Sequence, residues 1–197
     1  MTLSPLPATF RWARPTEDDL LGIATAEGGQ PFTYPNVGAT AGIVPVGWDH
    51  DDQVLVVGHG THTMERAVAA LERWTQFDLS WVFPLRRDVP IEKDAVFAFV
   101  SRQLGLWSVS VCRVAYVLDE RPLRYGFAYG TVGSHPVRGE ERFLLEHDPT
   151  TDAVTFRITK FSRPAHPLVK LAGFVARRIQ ARFTRDALAR LAAEVAE

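Results

Sequence analysis

With 22 basic and 23 acidic residues among 197, for a formal net charge of -1, the chain carries no global field that would draw it to nucleic acid or an anionic surface. A hydrophobic share of 46% and an aromatic share of 11% exclude a disordered chain and suit a globular one. Cys112, the lone cysteine, excludes an intrachain disulfide and any multi-cysteine zinc or iron–sulfur centre, and fits a reducing cytoplasm.

The first ten residues show no basic stretch leading into an apolar one. Nowhere do about 18 apolar residues run together, so neither export nor a membrane span is expected. Residues 16–27 predict a short helix, with Thr16 as N-cap, Glu17, Asp18 and Asp19 at its positive end, and Gly28-Gly29 as its stop. From 30 to 48, Pro31, Pro35, Gly38, Gly42, Pro45 and Gly47 break every periodicity and predict an extended loop. Long loops are often functional, and Phe32, Tyr34 and Asn36 suit either a lid over a cavity mouth or packing against a sheet edge.

A β-branched run at 54–58 predicts a strand. Thr61 then caps a helix on which Met64, Ala67, Val68, Leu71 and Trp74 recur at helical spacing. Six strands follow at 79–84, 95–101, 107–118, 123–131, 140–147 and 154–161. Turn-rich separators at 119–122, 133–136 and 148–152 imply antiparallel neighbours. Residues 168–195 predict a long helix, with Leu168, Leu171, Val175, Ile179, Phe183, Leu191 and Val195 facing one way. Lys170, Arg177, Arg178, Arg182, Arg185 and Arg190 fall largely opposite. The expected organisation is one α+β domain over 1–197, with 1–50 as N-terminal helix and loop and 51–197 as core. In that core a curved, mostly antiparallel sheet wraps around the C-terminal helix.

The order strand, helix, six strands, long helix resembles the helix-grip architecture of the START-like superfamily, which includes lipid-transfer domains, polyketide cyclases and birch-pollen-type allergens. More narrowly, FTYPNVGAT at 32–40, LGLWSVSVCRVAYV at 104–117, GFAYGT followed by HPVRGEERF within 126–143, and FSRPAHPL at 161–168 resemble a family of bacteria and plants described as a domain of unknown function. The resemblance implies a cavity between sheet and long helix that takes an apolar or aromatic molecule. It carries over no catalytic residue.

Strand alternation puts Tyr125, Phe127 and Tyr129 on one face and Gly126, Ala128 and Gly130 on the other, where small side chains admit something bulky such as the long helix. Tyr34, Trp107, Tyr125, Phe127, Tyr129, Arg138 and Phe143 are the candidate ligand contacts. Arg113 lies inside an apolar strand, where a guanidinium is costly unless paired, and Glu140 or Glu141 is its natural partner. Such a pair either fixes strand register or, with His135 nearby, supplies an acid and a base. Glu141, Glu140, His135 and Arg113 are therefore the candidate catalytic residues. Adjacent glutamates on a strand point to opposite faces, which excludes a glycosidase-type carboxylate pair.

His59 and His62 have a metal-like spacing but no third ligand at a familiar offset, so neither a metal nor another cofactor is expected. Ser162, Arg163 and His166 read as turn and cap residues, no GxSxG elbow is present, and Cys112 reads as core. Three functions fit: binding of a small hydrophobic or aromatic ligand without turnover; a cofactor-independent cyclase, hydratase or hydrolase-type enzyme in the same cavity; or a regulatory module that docks a partner on its N-terminal loop or basic helix face. The expected partner is a small hydrophobic molecule, with no nucleic acid and no membrane span.

Overall fold

Branched and aromatic residues alternating along successive strands build a sheet whose inner face is too apolar to meet water, so a striped helix must cover it. The computed structural model describes residues 9–171 and 173–196. The reading of the N-terminus as free of a leader falls mostly outside them, and so does the Leu168 side chain.

The elements run β1 (Phe10–Arg11), α1 (Glu17–Gly28), β2 (Asp49–His59), α2 (Thr61–Glu72), β3 (Val82–Pro84), β4 (Val96–Gln103), β5 (Leu106–Glu120), β6 (Arg124–Thr131), β7 (Val137–His147), β8 (Ala153–Pro164), α3 (Pro167–Leu171) and α4 (Gly173–Ala196). The strands form one sheet in the order β2-β8-β7-β6-β5-β4-β3, with β1 on the free stretch of β5. Every pairing is antiparallel. The sheet curls around α2 and α4, which is the helix-grip architecture.

Several boundaries differ from the sequence reading for local reasons. β2 starts five residues before the expected strand, where Asp51 and Asp52 find side-chain partners on β8 and α4. Gly60, not Thr61, is the N-cap of α2. Trp74 completes the helical spacing in sequence but lies past the end of α2, in a left-handed turn at φ 59°, and its Nε1 donates to the Val89 carbonyl at 2.8 Å. Leu171 leaves the apolar stripe and is 88% exposed, because α3 ends there and α4 starts afresh at Gly173.

The aromatic face of β6 is the concave one, where α2 lies against it and α4 packs beside α2 on β2 and β8. The small face of β6 receives the N-terminal segment instead, which forms a third layer on the convex side. α1 lays Leu20, Ile23 and Ala24 over Val100, Val109 and Val111, and its Thr16–Asp19 capping box fixes where it begins. The loop after it crosses to β6 and β7, where Tyr34 sits on Gly130 so closely that a Cβ there would lie 2.0 Å from its hydroxyl oxygen. Phe32 and Tyr34 therefore belong to packing on the convex face rather than to a lid, and Asn36 is exposed beside them.

Inside the grip, the half nearest the β5–β6 turn is filled. Trp74 stacks 4.4 Å from Phe97 and 5.1 Å from Phe127, and Phe77 meets Phe143 at 5.9 Å. Burying each such ring contributes about 2–3 kcal/mol, and α4 closes this half with Ala187, Leu188, Leu191 and Val195. The other half, under the first turns of α4, is open.

Candidate functional site

The period-two alternation of five strands carries one row of side chains across the concave face: Val114 opposite Tyr129, Tyr129 opposite Glu141, Glu141 opposite Lys160, Lys160 opposite Asp51. This row marks the border between the filled half of the interior and a cavity of about 310 Å³. The helix wall of the cavity is Val175, Ala176, Ile179, Gln180 and Phe183, and the opposite wall includes Trp81, Val82 and Phe99. Its sheet floor is lined by Ser101, Ser108, Ser110 and Thr131, with His135 and Pro136 from the β6–β7 loop at one side. Ser101 and Ser108 satisfy each other at 2.8 Å, so the floor is polar yet mostly spoken for.

Glu141 is the exception. The Tyr129 hydroxyl donates to its Oε2, while Oε1 is buried and has no hydrogen-bond partner. Burial pushes its carboxyl above the ordinary value, against the opposing pull of the Lys160 ammonium 3.9 Å away and of the Tyr129 hydroxyl. Burial also drives the Tyr129 hydroxyl well above its usual range, so that group remains a donor. Lys160 is already committed: Nζ donates to the Gln180 carbonyl at 2.9 Å and to the Thr184 hydroxyl, and lies 3.4 Å from Asp51. His135 is buried at the cavity wall with Nδ1 2.7 Å from the Val137 carbonyl, and burial pulls its pKa down to about 4. It is therefore a neutral imidazole at physiological pH.

The predicted site residues divide between the two faces of the sheet. Glu141, Tyr129 and His135 converge on the cavity. Tyr125, Phe127 and Phe143 share the concave face but lie in the closed aromatic half, away from the cavity. Trp107 is on the convex face, stacked with Phe83 at 5.9 Å and under Arg14, and Arg138 is exposed outside the grip. Glu140 turns its carboxylate to the convex face, where it accepts from the Tyr34 hydroxyl at 2.7 Å and the Gly38 and Thr40 amides at 2.6 and 2.9 Å, as well as from the Thr40 hydroxyl. It clamps the loop.

Arg113 pairs with neither glutamate. It too lies on the convex face, where Nη1 donates to the Gly28 and Gln30 carbonyls at 3.2 Å each and the guanidinium covers the Phe32 ring at 4.3 Å. Backbone carbonyls serve where a carboxylate was expected, and Asp94 at 3.9 Å supplies the only acidic group near it among the described residues.

Lys160, Asp51 and the serines of the floor were not anticipated. In VTFRITKF the period of two places Lys160 in line with Val154, Phe156 and Ile158, so a lysine on a core face was legible. In WSVSVC, Ser108 and Ser110 precede Cys112 on the same face, a run of small polar groups that a packed core would not use. Among the described residues no group of three or more His, Cys, Asp or Glu could hold a metal ion; His62 instead lies 3.7 Å from Glu65 on the exposed face of α2.

Residues 33–190 match the family described as "Domain of unknown function (DUF1990)". The chain belongs to that family. It is 28% identical to a UPF0548 protein of Dictyostelium discoideum over 90% of this chain and 91% of the relative. A UPF0548 protein of Deinococcus radiodurans is 41% identical over 59% of this chain and 63% of its own length. Among solved structures, a hypothetical protein of Helicobacter pylori superposes with a TM-score of 0.52 at 13% identity, covering 83% of this chain and 95% of that one. The sequence blocks noted above thus mark true membership, and the fold shared with the Helicobacter protein is that of the grip. Among the described residues no helix is long and apolar enough to cross a membrane.

Proposed function

We propose that this protein binds a small, neutral, largely apolar molecule in the open half of the grip, anchored through one oxygen substituent on Glu141. The observation that carries the reading is the buried Glu141 Oε1, which has no hydrogen-bond partner, in the wall of a largely apolar cavity. Leaving a buried carboxylate oxygen unpaired costs about 1–3 kcal/mol, which a ligand hydroxyl or carbonyl would recover. The volume of about 310 Å³ falls at the lower end of small-molecule sites. Among the described residues lining the cavity the one Lys or Arg is Lys160, and its ammonium is held by Asp51, Gln180 and Thr184, so a free anion is poorly served inside. Titration with Nile red, a neutral apolar dye, tests this. Blue-shifted emission that saturates at a single site, lost in Ala176→Trp, is expected; equal binding by that variant would defeat the reading.

One arrangement favours turnover as a second reading. Glu141 has a raised pKa and shares its cavity with a neutral imidazole, which is how a general acid and a general base are set apart in one site. Protein recovered from its own host as wild type and as Glu141→Gln distinguishes the two. A catalyst would retain in the variant a molecule different in mass from any carried by the wild type. A binding protein would carry the same molecule more weakly.

A further inference from the structure

The near-zero net charge of the whole chain conceals a strongly basic end. Three segments frame the mouth of the cavity: the end of the β4–β5 hairpin at 101–108, the β6–β7 loop with the start of β7 at 132–139, and the run from 165 to 185 that contains α3 and the first half of α4. Together they hold seven Lys or Arg and no Asp or Glu, although the full chain has 22 and 23; Arg182 and Arg185 pair with Asp186 just beyond, and Glu27 accepts from Ser134 of the loop, which leaves Arg102, Arg138, Lys170, Arg177 and Arg178 to set the charge of this end. Arg102, Lys170, Arg177 and Arg178 are all exposed there.

The same end carries a group of the large apolar side chains that the core leaves out. Leu104 is 82% exposed, Leu171 88% and Phe174 65%, beside Val175 in the cavity wall. Leu104 is notable for its backbone as well. It occupies a two-residue hairpin turn with φ 51°, followed by Gly105 at φ 80°, a place where asparagine or glycine is sterically preferred. A leucine held in that conformation, with its side chain in water, gains nothing from the fold itself.

We propose that this end docks on an anionic lipid bilayer, with Leu104, Leu171 and Phe174 entering the headgroup boundary and the surrounding basic residues meeting the lipid phosphates. Apolar tips ringed by cations match the two-part chemistry of such a surface. A second copy of the chain does not fit, because two faces of this charge repel. The docked orientation would turn the cavity mouth to the membrane, the phase in which a neutral apolar ligand concentrates; only this consequence depends on the ligand reading, and the docking does not.

Flotation of the purified protein with vesicles of phosphatidylcholine alone, and of phosphatidylcholine with phosphatidylglycerol, tests the proposal. Binding to the anionic vesicles alone, abolished by high salt, is expected. Each Lys or Arg near such a surface is worth about 1 kcal/mol, roughly fivefold, so Lys170→Gln with Arg177→Gln should weaken partitioning about 25-fold. Leu104→Asp with Phe174→Asp should abolish it, with thermal unfolding unchanged because both side chains are exposed. Ile43→Asp, at a 93% exposed apolar residue in the N-terminal loop, should bind like wild type, and so should the cavity-filled Ala176→Trp. Absence of vesicle binding by the folded wild type would overturn the docking, as would indifference to lipid charge or retention of binding by the Leu104 and Phe174 variant. Capture of an acidic protein in place of vesicles would also overturn it.

Discussion

Glu140 and Glu141 are neighbours in sequence on opposite faces of one strand, and replacing each by glutamine should have opposite consequences. On the convex face four donors converge on Glu140: Oε2 accepts from the Tyr34 hydroxyl and the Gly38 amide, and Oε1 from the Thr40 amide and hydroxyl. A glutamine keeps one oxygen and turns an NH2 toward the other pair. A hydroxyl can rotate to accept from that NH2, but a backbone N–H cannot, so whichever way the amide lies, one of the two backbone donors is left facing another donor. Hydrogen bonds to a charged group contribute about 1.5–3 kcal/mol each and an unsatisfied buried N–H costs about 1–3, so Glu140→Gln should lose about 3–5 kcal/mol. For an m-value of about 2 kcal/mol per molar urea, the midpoint should fall by about 2 M. Glu141→Gln keeps the Tyr129 bond and removes a carboxyl whose charge burial already penalises, so its stability should stay within about 1 kcal/mol of wild type while ligand binding suffers. Paired urea titrations decide the matter. A Glu140→Gln midpoint close to wild type, or an equal loss from both variants, would refute the assignment of clamp and anchor.

Other expectations are more local. Gly130→Ala drives a methyl into the Tyr34 ring and should cost about 1–3 kcal/mol in urea or thermal unfolding. Phe127→Ala, in the closed half, should cost about 3–5 kcal/mol, whereas Ile179→Ala on the cavity wall should cost about 1–2, because the space beside it is already empty. His135 has a pKa of about 4 in the fold against 6.5 in a model peptide, so between those values the unfolded chain binds the extra proton. Stability should therefore fall as pH drops from 6.5 toward 4, by about 3 kcal/mol in total at about 1.36 per unit, and His135→Asn should flatten that slope in calorimetry at successive pH values.

The elements and their order were legible because each rests on local chemistry: the capping box at Thr16, the alternation in RYGFAYGT, the turn residues between strands. That same alternation correctly separated Glu140 from Glu141. It could not say which face would meet the long helix, and this decided everything about the site. Placing the helices on the side of the sheet to which β6 turns its aromatic residues, and the N-terminal loop on its glycine face, sends Glu141 inward and Glu140, Arg113 and Trp107 outward. Arg113 illustrates why sequence alone fails here: its partners are carbonyls of Gly28 and Gln30, more than 80 residues distant, which no residue type announces. The split of the interior into a filled and an open half was equally hidden, because Tyr125, Phe127, Tyr129 and Phe143 look alike in sequence. What fills the closed half is Trp74, turned inward by a left-handed residue that helical spacing does not foresee.

The most direct test of the central claim is native mass spectrometry of the protein recovered from its own host, set beside the Ala176→Trp variant prepared the same way. The account predicts an adduct on the wild type that denaturation releases as a neutral apolar molecule bearing a hydroxyl or carbonyl, and its absence from the variant. A clean mass for both, or the same adduct on both, would contradict a ligand held in the open half of the grip.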